Sequence, residues 1–242
     1  MKNNKIFSLL VYPSYVVGLI LGLYLIVVAA WADMESAFYG FSRLAESGLR
    51  GFNCPVLMTR EETSSISLRV SNTTDNPISP AVRIEISTPI LSQEFNETLK
   101  LAPGETERFE WPVGPENIDL KRFIFAKALV FSAYPLPSRE VTCGIFIVDL
   151  PGSGKVILPV LIVLSLLGMG WGLYGINRSS ASNEWAEKHV LRPMAFLAVV
   201  VVLGFVASFV GGWVPSILLL AVSLLMVVIL LGSLLMSERK RR

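Results

Sequence analysis

Ser65-Ile66-Ser67-Leu68-Arg69-Val70 alternates polar and apolar side chains without a break, and this period of two decides how the middle of the chain folds. Successive side chains of an extended strand point to opposite faces, so such a run has one wet face and one buried face. The same period returns in Val82-Arg83-Ile84-Glu85-Ile86 and in Arg108-Phe109-Glu110-Trp111-Pro112-Val113. Residues 123–131, Phe-Ile-Phe-Ala-Lys-Ala-Leu-Val-Phe, are apolar on both faces apart from Lys127, as a central strand is. Val141, Cys143, Ile145 and Ile147 mark a last strand. Turn chemistry separates these runs: Asn72-Thr-Thr-Asp-Asn-Pro77, Ala102-Pro-Gly-Glu105 and Tyr134-Pro-Leu-Pro137. Ten of the fourteen prolines fall between residues 55 and 151, where they would break helices. Residues 53–150 therefore predict an immunoglobulin-type β-sandwich of about seven strands.

The chain has two cysteines, Cys54 and Cys143, both in this polar middle section. A disulfide is expected between them, the alternative being two buried free thiols. Two thiols make half a zinc site, and the single histidine, His189, falls in another part of the chain, so no metal or cofactor is expected.

The run Ile66-Ser-Leu-Arg-Val-Ser-Asn-Thr-Thr-Asp-Asn-Pro-Ile-Ser-Pro80, followed by Leu99-Lys-Leu-Ala-Pro-Gly-Glu105 and the strand at 107–113, resembles the CARDB-type and related immunoglobulin-like domains of prokaryotic surface proteins. The resemblance covers roughly 90 residues. It implies a seven-stranded sandwich used for adhesion, spacing or protein contact, and it brings no catalytic residues. Those domains often occur in arrays or beside enzymes. Here a single one is inserted between apolar segments.

Outward from the sandwich the composition changes. The chain as a whole is 52% hydrophobic and 17% charged, with a mean hydropathy of +0.58. Ordinary soluble domains are about a quarter charged. Residues 6–30 carry no charge, and neither do 156–176, 194–212 and 214–236. About 20 apolar residues suffice to cross a bilayer as a helix, so four transmembrane helices are predicted: one within 1–31 and three within 151–236. A signal peptide is the competing reading of the first run, given Lys2, Lys5 and the small-residue pattern Ala30-Trp31-Ala32. Signal cores span about 7–15 apolar residues, and the longer run favours a retained helix. Residues 32–52 read either as a short amphipathic helix, with Phe38, Phe41 and Leu44 at helical spacing, or as a stalk continuing the first span. Gly211-Gly-Trp-Val-Pro-Ser216 reads as a tight turn between the last two spans, and 237–242 as a basic tail.

Charge orients this arrangement. Residues 31–156 hold 16 acidic and 12 basic side chains, whereas the remainder of the chain holds 9 basic and 3 acidic. Lys2 and Lys5, then Arg178, Lys188 and Arg192, then Arg239 to Arg242 all fall on one side if there are four spans. The positive-inside rule makes that side cytoplasmic, with both termini. Residues 32–155 are then extracellular or periplasmic, in a compartment that permits a disulfide. The distribution is a poor match to nucleic-acid binding.

The remaining motifs each have a plain reading. Gly152-Ser-Gly-Lys155 lacks the offset glycine and the Ser or Thr of a phosphate loop and reads as a flexible hinge. Gly18 and Gly22, Gly168 and Gly172, and Gly204, Ser208 and Gly212 have the small-residue spacing that lets helix backbones approach, within the chain or against a partner. Glu61/Glu62 and Glu105/Glu107 read as solvated strand edges. Asn72-Thr-Thr and Asn96-Glu-Thr are glycosylation sequons. Trp111, Tyr134 and Tyr39 would form a sugar platform if they met, although Trp111 shares a face with Phe109 and Val113 and reads as core. Residues 183–192 read as an interfacial helix anchored by Trp185, or as a docking segment. The four spans contain no Asp, Glu, Lys, Arg or His, which counts against a pump or proton-coupled transporter.

No nucleophile–base pair at a plausible spacing is visible, so no enzyme is expected. The expectation is a multi-pass membrane protein of the cell membrane, in contact with lipid. It presents the sandwich to another membrane protein, as an accessory subunit or assembly factor, and a homo-oligomer is compatible with this. The alternatives are a surface module binding carbohydrate or envelope polymer, and a pore or transporter component.

Overall fold

The alternating runs become strands because each gains a buried face by pairing in one register only; a slip of one residue would turn its apolar set to solvent. The computed structural model describes residues 3–42, 44–90, 92–131, 137–180 and 190–239. The chain forms two units, Trp31–Ile157 and Met1–Ala30 with Leu158–Arg242.

In the first unit a three-stranded sheet has the order β2-β4-β7, with β2 at Phe52–Asn53, β4 at Ser64–Ser71 and β7 at Thr106–Val113. The larger sheet has the order β1-β9-β8-β5-β6: β1 Glu46–Ser47, β9 Arg139–Val148, β8 Phe123–Val130, β5 Ala81–Ile86 and β6 Gln93–Thr98. A short β3, Leu57–Thr59, pairs in parallel with the end of β9, and β1 pairs in parallel with its start. Ile66, Leu68 and Val70 of β4 and Trp111 and Val113 of β7 meet Ile84, Ile86, Ile124, Ala126, Ile145 and Ile147 of the larger sheet in one buried cluster. Two sheets closed on one core make this a β-sandwich.

The central position expected for residues 123–131 is found. β8 lies between β5 and β9, and seven of its eight residues are buried. Its second face, Phe123, Phe125 and Lys127, is covered by the stretch leading in from residue 31. Trp31 packs on Phe123 with ring centroids 5.4 Å apart, and Tyr39 on Phe125 at 4.5 Å. The described residues of 32–52 thus combine three states: helix to Phe38, irregular chain across the sheet, and the strands β1 and β2. No amphipathic helix carries Phe41 and Leu44, because the chain at these positions is drawn onto the sheet instead. Gly144 of β9 has to be glycine, since a Cβ there would collide with the Ala32 carbonyl.

The second unit contains α1 (Asn3–Phe38) up to Ala30, most of α2 (Gly154–Ser180), α3 (Arg192–Phe209) and α4 (Trp213–Arg239). All four helices are long and apolar enough to cross a membrane. Val11, Tyr15, Leu19 and Ile26 of α1 pack with Met169, Ile176, Leu197, Val201 and Phe205. α1 is 56% buried over its most apolar window, whereas α2 and α4 are 17% and 11% buried, so the latter two turn most of their apolar surface outward.

Candidate functional site

The small residues of α1 and α2 meet within the chain. A Cβ on Gly18 would lie 2.6 Å from the Met169 nitrogen and the Ser165 carbonyl, and one on Gly168 would lie 2.8 Å from the Ser14 carbonyl. Ser165 Oγ donates to the Gly18 carbonyl at 2.7 Å. Gly22 faces Val201, Gly172 faces Tyr15 and Gly204 faces Ile26. Gly212 does not pack between helices. It belongs to the α3–α4 turn, where its neighbours are Pro215 and the Ala207 carbonyl and where Gly211 takes the left-handed φ of +76°. Ser208 hydrogen-bonds Ser216 at 3.1 Å across that turn.

In the sandwich, Cys54 follows β2 and is disulfide-bonded to Cys143 on β9, across a sequence separation of 89. The bond ties the two sheets together beside their shared core.

Two carboxylates hold positions that local sequence reading did not reveal. Glu62 is not simply solvated. Its Oε2 accepts from Thr59 N at 3.0 Å and Gly154 N at 2.6 Å, and its Oε1 from Ser153 Oγ at 2.5 Å. It therefore caps the N-terminus of α2, where unpaired backbone N–H groups favour negative charge. Burial alone would raise the Glu62 carboxyl; the Ser153, Thr59 and Gly154 donors and the Lys155 charge outweigh that and lower it. Gly152-Ser-Gly-Lys155 is consequently no free hinge, because Thr59 Oγ1 also donates to the Gly152 carbonyl at 2.9 Å. Glu140 sits beside Lys127 at 3.2 Å, with the lysine side chain 1% exposed. Its Oε2 also accepts from Leu44 N at 3.0 Å and Ala45 N at 3.2 Å, while Lys127 Nζ donates to the Ser42 carbonyl. Burial pushes this carboxyl up, but the Leu44 and Ala45 donors and Lys127 bring it below the ordinary value.

Outside this ion pair, the outer face of β5 and β6 opens into a cleft of about 690 Å³, lined in part by Tyr39, Phe41, Arg83, Glu85, Glu94 and Asp119. Tyr39 donates to Asp119 Oδ2 at 2.5 Å, and burial followed by that carboxylate pushes its hydroxyl up to about 12. Arg83 pairs with Glu94 at 2.9 Å. β6 is paired on one side only, so its other backbone edge borders the cleft's sheet without a strand partner among the described residues.

The sugar platform does not assemble. Trp111 is 5% exposed in the core, and Tyr39 lies over the outer face of the other sheet. Tyr134, Trp185, Lys188 and His189 lie outside the described residues. Glu105 closes its own turn by accepting from Ala102 N at 2.7 Å. Asn72 is 1% exposed, and its Nδ2 donates to the Asn76, Leu101 and Ala102 carbonyls. This corrects its reading as a glycan acceptor, because in the folded domain that nitrogen is enclosed and fully engaged. Asn96 is exposed on β6. Among the described residues no cluster of three or more His, Cys, Asp or Glu side chains is placed to hold a metal.

No protein-family model matches the chain, and no curated protein matches it. Among solved structures, the CARDB domain of a Pyrococcus furiosus protein, in complex with di-metal ions, is similar over 44% of this chain and 95% of that one, at 16% identity and a TM-score of 0.32. A β-glucuronidase of Bacteroides uniformis is similar over 36% of this chain, at 18% identity and a TM-score of 0.29. A Paenibacillus cycloisomaltooligosaccharide glucanotransferase is similar over 43%, at 16% identity and a TM-score of 0.31. The chain spans 12% of the glucuronidase and 14% of the glucanotransferase. Likeness at these scores assigns neither activity nor metal to this chain.

Proposed function

We propose that the chain is a non-enzymatic multi-pass membrane protein that presents an immunoglobulin-like sandwich outside the cytoplasm for contact with another membrane protein, as an accessory subunit or assembly factor. The outward apolar surface of α2 and α4 supports the membrane part. Leu167, Leu218, Val228 and Ile229 are 60–65% exposed, and a helix apolar on every side requires lipid or protein around it. The disulfide and the positive-inside charge pattern support an external sandwich with both termini cytoplasmic.

The observation that carries the protein-contact part is the cleft over β5 and β6, beside a strand edge with no strand partner among the described residues. The test is extraction of the tagged full chain in mild detergent, followed by cross-linking and mass spectrometry. A stoichiometric membrane partner linked through residues 83–98 is the expected result, and Glu94→Lys should weaken its recovery. A clean monomer with no partner would overturn the reading.

A further inference from the structure

The ends of the sandwich differ. The chain enters it at Trp31, which packs on Phe123 and Phe146, and leaves it at Ser153, which is bound to Glu62. At this same end lie the loops after β5, before β8 and after β9. Ser87 N donates to the Phe125 carbonyl, Ser87 Oγ to the Asn117 carbonyl and Ile147 N to the Arg122 carbonyl, each at 2.8 Å. These three loops expose Ile90 (90%), Leu120 (59%) and Leu150 (51%). At the opposite end the turns 72–77 and 102–105 expose no large aliphatic or aromatic side chain, residues 132–136 lie outside the described residues, and Leu44 (53%) is exposed on the cleft instead. Exposed apolar side chains gathered at one end of a domain mark an interaction surface.

The loop that carries Leu120 is held in an unfavourable backbone. Leu120 and Lys121 take left-handed φ values of 47° and 66°, which non-glycine residues seldom adopt. Asp119 Oδ1 accepts from Leu120 N at 2.6 Å, Asp119 Oδ2 from Tyr39, and Arg60 Nη2 reaches the Lys121 carbonyl at 3.4 Å. Lys121, Arg122 and Lys155 are exposed around the apolar tips, with Asp149 close to Arg122 and Glu62 close to Lys155. Apolar tips ringed by long cations are the composition that sits in a headgroup layer, with stems buried and charges at the phosphates.

We infer that this end of the sandwich is a lipid-docking surface, with Ile90, Leu120 and Leu150 inserted among the headgroups of the bilayer and Lys121, Arg122 and Lys155 paired to lipid phosphate. The inference rests on the membrane reading above, and both helical connections leave from this end.

Single cysteines at positions 90, 120 and 150 of the full chain, with the native disulfide kept oxidised, take a nitroxide label. The protein is reconstituted into phosphatidylcholine–phosphatidylglycerol vesicles, and collision with oxygen and with a water-soluble nickel chelate gives depth. Asp75→Cys in the opposite turn and Val228→Cys in α4 are the controls. The expected result is an oxygen-to-nickel ratio at 90, 120 and 150 between those of the two controls. Labels at 90, 120 and 150 as nickel-accessible as that at 75, with 228 deep in lipid, would overturn the docking surface and leave the membrane reading standing. Shielding of the three from both reagents would overturn it in favour of a protein cover. A nickel-accessible label at 228 would overturn both readings.

Discussion

An ammonium group 1% exposed inside a sheet persists only where its charge is answered, and at Lys127 the answer comes from Glu140 and the Ser42 carbonyl. Removing one partner strands the other, which typically costs about 3–5 kcal/mol, whereas replacing both by neutral groups of similar size is often near neutral. Lys127→Met is therefore expected to lower the thermal midpoint of the full chain in detergent markedly, and the Lys127→Met/Glu140→Gln double variant to recover most of it. Glu140 and Glu62 are both held below the ordinary glutamate value. A group with a depressed folded value contributes stability that is present above its unfolded value, about pH 4.3, and lost as pH falls through the folded one. Thermal melts should thus lose midpoint as pH drops below about 4.3, and Glu62→Gln should flatten that loss. Lys127 was legible as an anomaly in an apolar strand. Its partners lie 13 and 85 residues away and carry no local signal.

At the scale of elements, helices begin where orphan N–H groups find acceptors, and α2 begins where Glu62 supplies one. Loss of such a cap costs about 1 kcal/mol, so Glu62→Ala should lower stability by that order and increase proteolysis at 151–155. Helix packing depends likewise on single positions. Gly18→Val would drive a side chain into the α2 backbone and should abolish monodisperse protein on size-exclusion chromatography. Gly170→Ala meets nothing within 4 Å and should behave as wild type or gain up to about 1 kcal/mol from reduced backbone entropy. The four helices were legible because an uncharged apolar run of that length has few other fates. β4, β5, β7, β8 and β9 were legible from their alternation or continuous apolarity. β6 was not, because Gln93-Glu-Phe-Asn-Glu-Thr98 buries only part of Phe95 and pairs along an edge. β1, β2 and β3 are two or three residues long, too short for any period to show.

Across the whole molecule, the Cys54–Cys143 bond closes 89 residues of chain into one loop. On the chain-entropy model such a closure contributes roughly 4–5 kcal/mol, so reduction should lower the melting midpoint and slow migration on a denaturing gel. Unchanged midpoint and mobility after reduction would count against the bond. The sequence by itself determined the class of each region: alternating residues for the sheets and charge-free runs for the helices. Those properties are local and need no knowledge of neighbours in space, whereas the two cysteines left a disulfide and two free thiols both open until the structure joined them. Only the tertiary structure decided that Trp31, Tyr39 and Ser42 meet the second face of β8, that Glu62 holds the start of α2, and that Asn72 is enclosed. It alone gathered Ile90, Leu120 and Leu150 at one end. The physical reason is that burial and hydrogen-bond partnership are pairwise properties. They are settled when segments distant in sequence close on one another, and no single residue's chemistry announces its partner beforehand.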